Sequence, residues 1–272
     1  MDPLRAVLLG LLQGFTEFLP VSSSGHLALA EALFGDLSET DIYLFFNVML
    51  HVGSLLAVLV FCRRELAMLF RALFRIGRRA ETEGQRRDRR LLAAVILATI
   101  PTAVIGFAIK LTSMALFSEL IFIGFMFFIT TAVLAASPRF GGERGEPSPL
   151  AAVLIGVAQG VAVMPGLSRS GMTIVSGKAA GMEATAAARF AFVISIPAIF
   201  GAALVSGLDV VNLPKFNTSL IFSALYGIMA AVIAGYLSLI WLIRLVRQAR
   251  LNVFAFYCAA IGIISIVIGL VR

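Results

Sequence analysis

The chain has 272 residues, of which 60% are hydrophobic and only 14% are charged, and its mean hydropathy is +0.99. Soluble domains carry about 25% charged residues, so this chain lacks the polar surface to cover itself in water. Apolar runs recur without a two-residue alternation, and they reach the length of about 20 residues that crosses a hydrocarbon core. The composition therefore predicts an all-α polytopic membrane protein and excludes a soluble fold.

The first apolar stretch, residues 4–35, is broken near its middle by Pro20 and a run of serines. Each half is too short to cross a membrane, so we predict a re-entrant helix pair whose break lies against protein or water. Gln13 and Glu17 also interrupt the run, and no small-residue cleavage site follows. We therefore interpret the stretch as mature protein and not as a signal peptide. Three predicted spans follow at about 43–62, 91–110 and 117–136.

Arginines between the apolar runs predict the orientation. Ten of them lie in residues 63–90, and Arg244, Arg247 and Arg250 fall in a later connection. Short arginine-rich connections mark the cytoplasmic side of a membrane and contact lipid headgroups. We predict a cytoplasmic 63–90 loop and membrane lipids as partners. The net charge of +7 is thereby explained without a nucleic-acid partner.

A second broken stretch, residues 150–180, opens the other half of the chain. It shares two short sequences with the first broken stretch at a constant offset of 146 residues. Gly10–Gly14 matches Gly156–Gly160, and Ser22–Gly25 matches Ser168–Gly171. The remaining predicted spans are 187–207, 219–243 and 252–271.

Each half therefore combines one re-entrant pair with three crossings, and an odd number of crossings inverts the second half relative to the first. We predict a single membrane domain of two inverted repeats, about 1–137 and 150–272, whose broken tips meet within the membrane. This plan is shared with many transporters, so a lipid-phosphate transporter or flippase stays an alternative function.

The first break holds polar side chains that are expensive at membrane depth. An ionisable residue there costs roughly 2.5–3.5 kcal/mol on insertion scales, which favours a functional role for Glu17 over that of a glutamate at a wet helix end. The serines either cap a helix or form a polar pocket with His26, which could serve as acid, base or nucleophile. His51 lies inside a predicted span and is interpreted as structural. The candidate residues are Gln13, Glu17, Ser22, Ser23, Ser24 and His26.

The second break offers a cation. The guanidinium of Arg169 matches phosphate oxygens bidentately, and neighbouring hydroxyls add donors. The structural alternative is an Arg169–Glu17 ion pair between the two breaks, and Lys178 is a candidate second cation. Together the breaks predict a site for a phosphorylated amphiphile, with its tail in lipid. The candidate residues here are Ser168, Arg169, Ser170 and Thr173.

At these residues the sequence resembles the undecaprenyl pyrophosphate phosphatases, the family associated with bacitracin resistance. The motifs that carry the resemblance are Gln13 with Glu17, then Pro20–His26, and Pro165–Thr173. The resemblance covers essentially the whole chain. It implies removal of one phosphate from undecaprenyl pyrophosphate, or from shorter isoprenoid pyrophosphates, in the bacterial inner membrane, which recycles the lipid carrier for cell-wall synthesis.

The resemblance also implies a divalent cation, Mg²⁺ or Ca²⁺, and an active site that opens to the periplasmic side. Gln13 stands where other members carry a glutamate, so the expected metal ligand is Glu17 alone, together with pyrophosphate oxygens. Ser23, His26 and water stay open as nucleophiles. The functional positions that the resemblance implies are Glu17, Ser23, His26, Ser168, Arg169, Ser170 and Thr173.

Two further interpretations stay open at this point. A receptor or assembly factor is a third functional class, although it leaves the grouping of Glu17 with His26 unexplained. Gly201, Ala202 and Ala203 permit close helix packing, either within one chain or between the protomers of a homodimer.

Overall fold

A computed structural model describes residues 2–34, 40–75, 82–112, 119–211 and 218–271. Within these ranges the chain is helical, and the only extended pairing is an isolated bridge between Arg144 and Met182. The all-α prediction is therefore confirmed. The helices are α1 (Pro3–Phe18), α2 (Ser23–Phe34), α3 (Thr40–Phe61), α4 (Arg63–Leu73), α5 (Glu83–Thr112), α6 (Leu120–Ala136), α7 (Pro149–Val161), α8 (Arg169–Ala179), α9 (Ala184–Val211), α10 (Thr218–Arg247) and α11 (Val253–Val271).

Long apolar helices make the chain a multi-pass membrane protein. Among the described residues, five helices are long and apolar enough to cross a membrane, namely α5, α6, α9, α10 and α11. Phe45–Phe61 of α3 passes the same test together with α4, from which it is bent by 80°. These six elements coincide with the six predicted spans.

The prediction of a loop over residues 63–90 is wrong for most of its length. Residues Arg63–Leu73 form α4, and α5 begins at Glu83, eight residues before the predicted span; residues 76–81 lie outside the described ranges. Leu66, Leu69 and Ala72 recur at helical spacing, a pattern that the many arginines obscure. Arg71 Nε also bonds the buried carboxylate of Asp88 at 3.0 Å and joins the two helices.

Proline and glycine lie in the turns at both predicted breaks. The residue before a proline is disfavoured in helical conformation, and Leu19, before Pro20, is extended with ψ 146°. Ser22 then adopts a positive φ of 67° before α2 begins. In the second break Gly166 has a φ of 93°, a conformation that glycine adopts without strain. Ser168 then caps α8, since its Oγ accepts a hydrogen bond from the Gly171 N–H at 3.1 Å.

The two broken segments pack in equivalent ways. α1 lies along α10 and α7 lies along α5, while α3 contacts α9 and α6 contacts α11. Glycines permit the close approach. A Cβ at Gly10 would clash with the carbonyl of Gly227 in α10, and a Cβ at Gly156 would clash with the carbonyl of Ala98 in α5. These contacts place both breaks in the interior of the helix bundle.

Candidate active site

A cavity of about 170 Å³ lies where the two breaks meet. It is bounded by both breaks and by α3, α5 and α9, so it takes side chains from both halves of the chain. Apolar residues, among them Ile199 and Ala202 of α9, form part of its wall. Its polar walls include Glu17, Ser23, His51, Gln159, Ser168 and Arg169.

Glu17 and Arg169 form an ion pair across the cavity, with Arg169 Nη2 donating to Glu17 Oε1. The Glu17 side chain is fully buried and that of Arg169 is 23% exposed. The structural alternative raised by the sequence is therefore realised, and the pair occupies the cavity that a ligand would enter. Because a guanidinium has five N–H donors, Arg169 can hold Glu17 and still bind an anion.

The second oxygen of Glu17 accepts two hydrogen bonds. Ser23 Oγ donates to Oε2 at 2.6 Å, and Gln13 Nε2 donates to the same atom at 2.9 Å. The helical spacing of Gln13 and Glu17 explains their contact, whereas Ser23 reaches Glu17 because the chain reverses at Pro20. Ser23 therefore has a carboxylate proton acceptor already in place.

The two breaks also bind each other directly. Ser22 Oγ accepts the Gly166 N–H at 3.0 Å, and Ser170 Oγ donates to the Leu19 carbonyl at 3.1 Å. One serine hydroxyl of each break is therefore hydrogen-bonded to the backbone of the other break. Thr130 of α6 supports the second break, because its Oγ1 donates to Gly166 O at 2.9 Å and accepts from the Ser168 N–H at 3.0 Å.

His26 does not border this cavity. It is buried, its Nδ1 lies 2.7 Å from the Ser22 carbonyl, and its Nε2 lies 2.7 Å from the Tyr257 hydroxyl. The imidazole stacks on the Tyr257 ring, with the centroids 5.6 Å apart and the planes at 2°. Both ring nitrogens therefore have hydrogen-bond partners. The imidazole lies on the side of α2 that faces α11.

The remaining predicted residues divide between the site and its support. Ser24 lines the cavity and is exposed. Thr173 lies behind the ion pair, where its Oγ1 donates to the Arg169 carbonyl at 2.8 Å. Lys178 is about 13 Å farther along α8 than Arg169, at 1.5 Å per residue. Its Nζ bonds the carbonyl and hydroxyl oxygens of Ser137, at 2.6 and 2.9 Å, so the structure gives it a role in helix packing.

Four polar residues of the cavity wall, Thr16, His51, Thr102 and Gln159, were not predicted as functional. Gln159, the counterpart of Gln13 in the second half, donates to Thr102 Oγ1 at 3.2 Å and to the Ile194 carbonyl at 3.2 Å. His51 lines the cavity opposite the breaks, on α3. The sequence holds one usable signal, since a polar residue inside an apolar span is costly and therefore suggests function. That signal applies to Gln159 and His51 equally.

The side chains of the cavity wall can be compared with those that bind a divalent cation, which the family resemblance implies. Among the described residues, no three acidic, histidine or cysteine side chains converge on one point. Of the residues that the structure describes, Glu17 is the one carboxylate on the cavity wall, and serine side chains line the same cavity. Magnesium is commonly bound by one or two carboxylates together with substrate phosphates, so the residues fit a cation that arrives with a phosphorylated ligand.

Comparison with known proteins identifies the family. The sequence profile of the bacitracin resistance protein BacA matches residues 6–264, nearly the whole chain. The chain belongs to the BacA family. The resemblance inferred from the two motifs is confirmed, and in this BacA member those motifs supply both breaks around the cavity.

Three relatives that match this BacA family member over nearly their full length are each named undecaprenyl-diphosphatase. The protein of Syntrophotalea carbinolica is 41% identical over 265 residues, with 96% of this chain and 97% of the relative covered. That of Desulforapulum autotrophicum is 40% identical and covers 100% of both chains. That of Methanobrevibacter smithii is 39% identical, with 97% of this chain and 96% of the relative covered.

Proposed function

We propose that this protein hydrolyses undecaprenyl pyrophosphate to undecaprenyl phosphate and inorganic phosphate, recycling the lipid carrier for cell-wall synthesis. The observation that carries the proposal is the contact of Ser23 Oγ with Glu17 Oε2, at 2.6 Å, beside the guanidinium of Arg169. A nucleophile, a proton acceptor and an anion-binding group are thereby collected in one cavity. The names of the full-length relatives support the same reaction.

The ends of two helices favour an anionic ligand. α2 begins at Ser23 and α8 begins at Arg169, and both residues line the cavity. The first N–H groups of a helix lack intrahelical partners and, with the helix dipole, attract phosphate. Two such N-termini and one arginine can neutralise the pyrophosphate head while its isoprenoid tail stays in lipid.

In the proposed first step, Ser23 Oγ attacks the terminal phosphorus. The bond from Oγ to phosphorus forms, the bond from phosphorus to the bridging oxygen breaks, and undecaprenyl phosphate leaves. The Ser23 proton passes to Glu17 Oε2, with which it already forms a hydrogen bond. Arg169 and the helix N-termini stabilise the charge on the transferring group, which is the main requirement of phosphoryl transfer.

Within this proposal, Glu17 would hold a divalent cation jointly with pyrophosphate oxygens, and Gln13 would keep the carboxylate in position through its 2.9 Å hydrogen bond. When bound, a cation such as Mg²⁺ neutralises phosphate charge. Gln13 is fully buried, and its amide Oε1 has no partner among the described residues. Because the pyrophosphate would supply some of the cation's ligands, a single carboxylate in the cavity wall would be enough to hold the cation.

The proposal includes two inverted repeats, each with a re-entrant pair. The helix packing supports it, because α1 packs along α10 as α7 packs along α5. α10 and α5 are the second long helices after their respective breaks. A rotation that exchanges the halves therefore exchanges equivalent contacts.

In the proposed orientation, the arginine-rich ends of the helices lie on the cytoplasmic side of the inner membrane. The cavity opens to the periplasmic side. His51 lies ten residues before Phe61, where α3 ends next to Arg63, and Ala202 lies thirteen residues from Arg189 along α9. At 1.5 Å per residue, the cavity is about 15–20 Å from these basic ends. A position far from the basic face supports an opening on the opposite side.

Phosphate release from farnesyl or undecaprenyl pyrophosphate, by purified protein with and without Mg²⁺, tests the proposal. We expect cation-dependent release that falls at least 100-fold in both Glu17→Ala and Arg169→Ala, since removal of one group that stabilises transition-state charge costs about 10²–10³-fold. Leu56→Ala, an exposed position on α3, serves as control. A well-folded wild type that releases no phosphate would contradict the enzyme and return a lipid-phosphate carrier to consideration.

A further inference from the structure

We infer that His51 is a further catalytic residue of the proposed reaction, the base that takes a proton from the water that cleaves the phosphorylated serine. The inference rests on the phosphatase function proposed above. It assigns chemistry to a residue that the sequence motifs do not include. The observation on which it rests is that His51 lines the same cavity as Glu17, Ser23 and Arg169.

The hydrogen bond at one ring nitrogen determines the tautomer of His51. Nδ1 lies 2.9 Å from the carbonyl oxygen of Asn47, one helical turn earlier on α3. A carbonyl oxygen can only accept, so Nδ1 carries the hydrogen and the neutral ring presents a lone pair at Nε2. Among the described residues, Nε2 forms no hydrogen bond of its own. A residue of the cavity wall thus has a ring nitrogen that can accept a proton.

The two histidines of the chain differ in this respect. His26 has a partner at each ring nitrogen, namely the Ser22 carbonyl and the Tyr257 hydroxyl, and it lies away from the cavity. His51 has one partner and is only half-buried. Of the two histidines, His51 alone lines the cavity and has a ring nitrogen without a hydrogen-bond partner in the part of the chain that the structure describes.

The reaction needs a second base because Glu17 is occupied after the first step. Glu17 then holds the proton of Ser23 and has to return it to Oγ. In the second step the oxygen of water bonds to phosphorus, the bond from phosphorus to Ser23 Oγ breaks, and Glu17 reprotonates Oγ. The proton of the attacking water passes to His51 Nε2, from which it leaves with the phosphate. Two proton acceptors, one for each half-reaction, balance the cycle.

A rapid-quench experiment on His51→Gln separates the two steps. The probe is farnesyl pyrophosphate labelled at its terminal phosphorus, mixed with full-length protein in detergent with Mg²⁺. We expect one farnesyl phosphate per protein to form in a fast first turnover, followed by phosphate release about 100-fold slower than in wild type, the typical contribution of a general base. The label should stay on the protein and map to Ser23 by mass spectrometry.

Matched controls separate this role from structural support. Leu56→Ala, on the same helix but lipid-facing, should release both products as wild type does. His51→Ala provides a second variant and should show the same burst. Equal slowing of both products without labelled protein, or wild-type release of both, would overturn the assignment to His51. A wild type that forms neither product would instead contradict the proposed function itself.

Discussion

Ser23 Oγ lies 2.6 Å from Glu17 Oε2, although a proline-containing chain reversal separates the two residues. The opposite carboxylate oxygen accepts from Arg169, which belongs to the other half of the chain. Glu17 therefore connects Ser23, the nucleophile proposed for the first break, to the guanidinium of Arg169 in the second break. Because its side chain is fully buried, a change at any of the three residues alters the surroundings of the other two.

Ser23→Ala removes the proposed nucleophile and should lower phosphate release at least about 10³-fold, as loss of a nucleophile does in other hydrolases. Ser24→Ala is the matched comparison, because Ser24 lines the same cavity without contacting Glu17. Its loss should stay near tenfold, the value of one hydrogen bond of about 1.5 kcal/mol. Phosphate release measured side by side checks the difference. Equal losses would argue against a special role for Ser23.

The ion pair predicts non-additive effects on stability. Arg169→Gln leaves the buried Glu17 carboxylate without its cation, and loss of one partner of such a pair costs about 3–5 kcal/mol. Glu17→Gln should destabilise by a comparable mechanism, whereas the double variant leaves no buried charge and should recover part of the loss. Thermal unfolding of the four proteins in one detergent measures the coupling. Additive losses would mean that the two charges do not interact.

The contacts of His26 predict that it positions the first break and does not attack phosphorus. Tyr257→Phe removes only the hydroxyl at Nε2 and should lower turnover less than tenfold, the cost of one hydrogen bond. His26→Ala should lower turnover further, because the hydrogen bond to the Ser22 carbonyl is lost next to Ser23. Mass spectrometry of quenched wild type should find no phosphohistidine. Detection of phosphate on His26 would reverse this assignment.

Helix packing at two glycines predicts where the bundle tolerates no side chain. Gly10→Val and Gly156→Val each place atoms against a neighbouring backbone carbonyl and should destabilise by about 1–3 kcal/mol or more, as overpacking does. Gly201→Val is the control, since a Cβ there meets nothing within 4 Å. Its unfolding temperature should stay near that of wild type. A similar loss at Gly201 would instead indicate a partner protomer on that surface.

Local signals were sufficient for the six long helices and for the residues of the two breaks. Apolar runs of spanning length predicted the six long helices, and Pro20 and Gly166 lie where the broken segments reverse. The extent of α4 was missed because its arginines dominate the composition while its apolar residues recur only at helical spacing. Lys178 was an open candidate for the site, but its distance from Arg169 along α8 follows directly from the helical rise.

The sequence by itself determined which side chains are chemically unusual, because charge and hydroxyl groups within an apolar chain are costly wherever the fold places them. The tertiary structure decided which of them share a cavity. His26 lies beside the serines in sequence, yet the direction of its side chain on α2 takes it to Tyr257. His51 is far from both motifs and lines the cavity, because the packing of α3 against α1 and α9 brings it there. Contacts between distant segments depend on helix rotation and packing, which no local pattern in this sequence encodes.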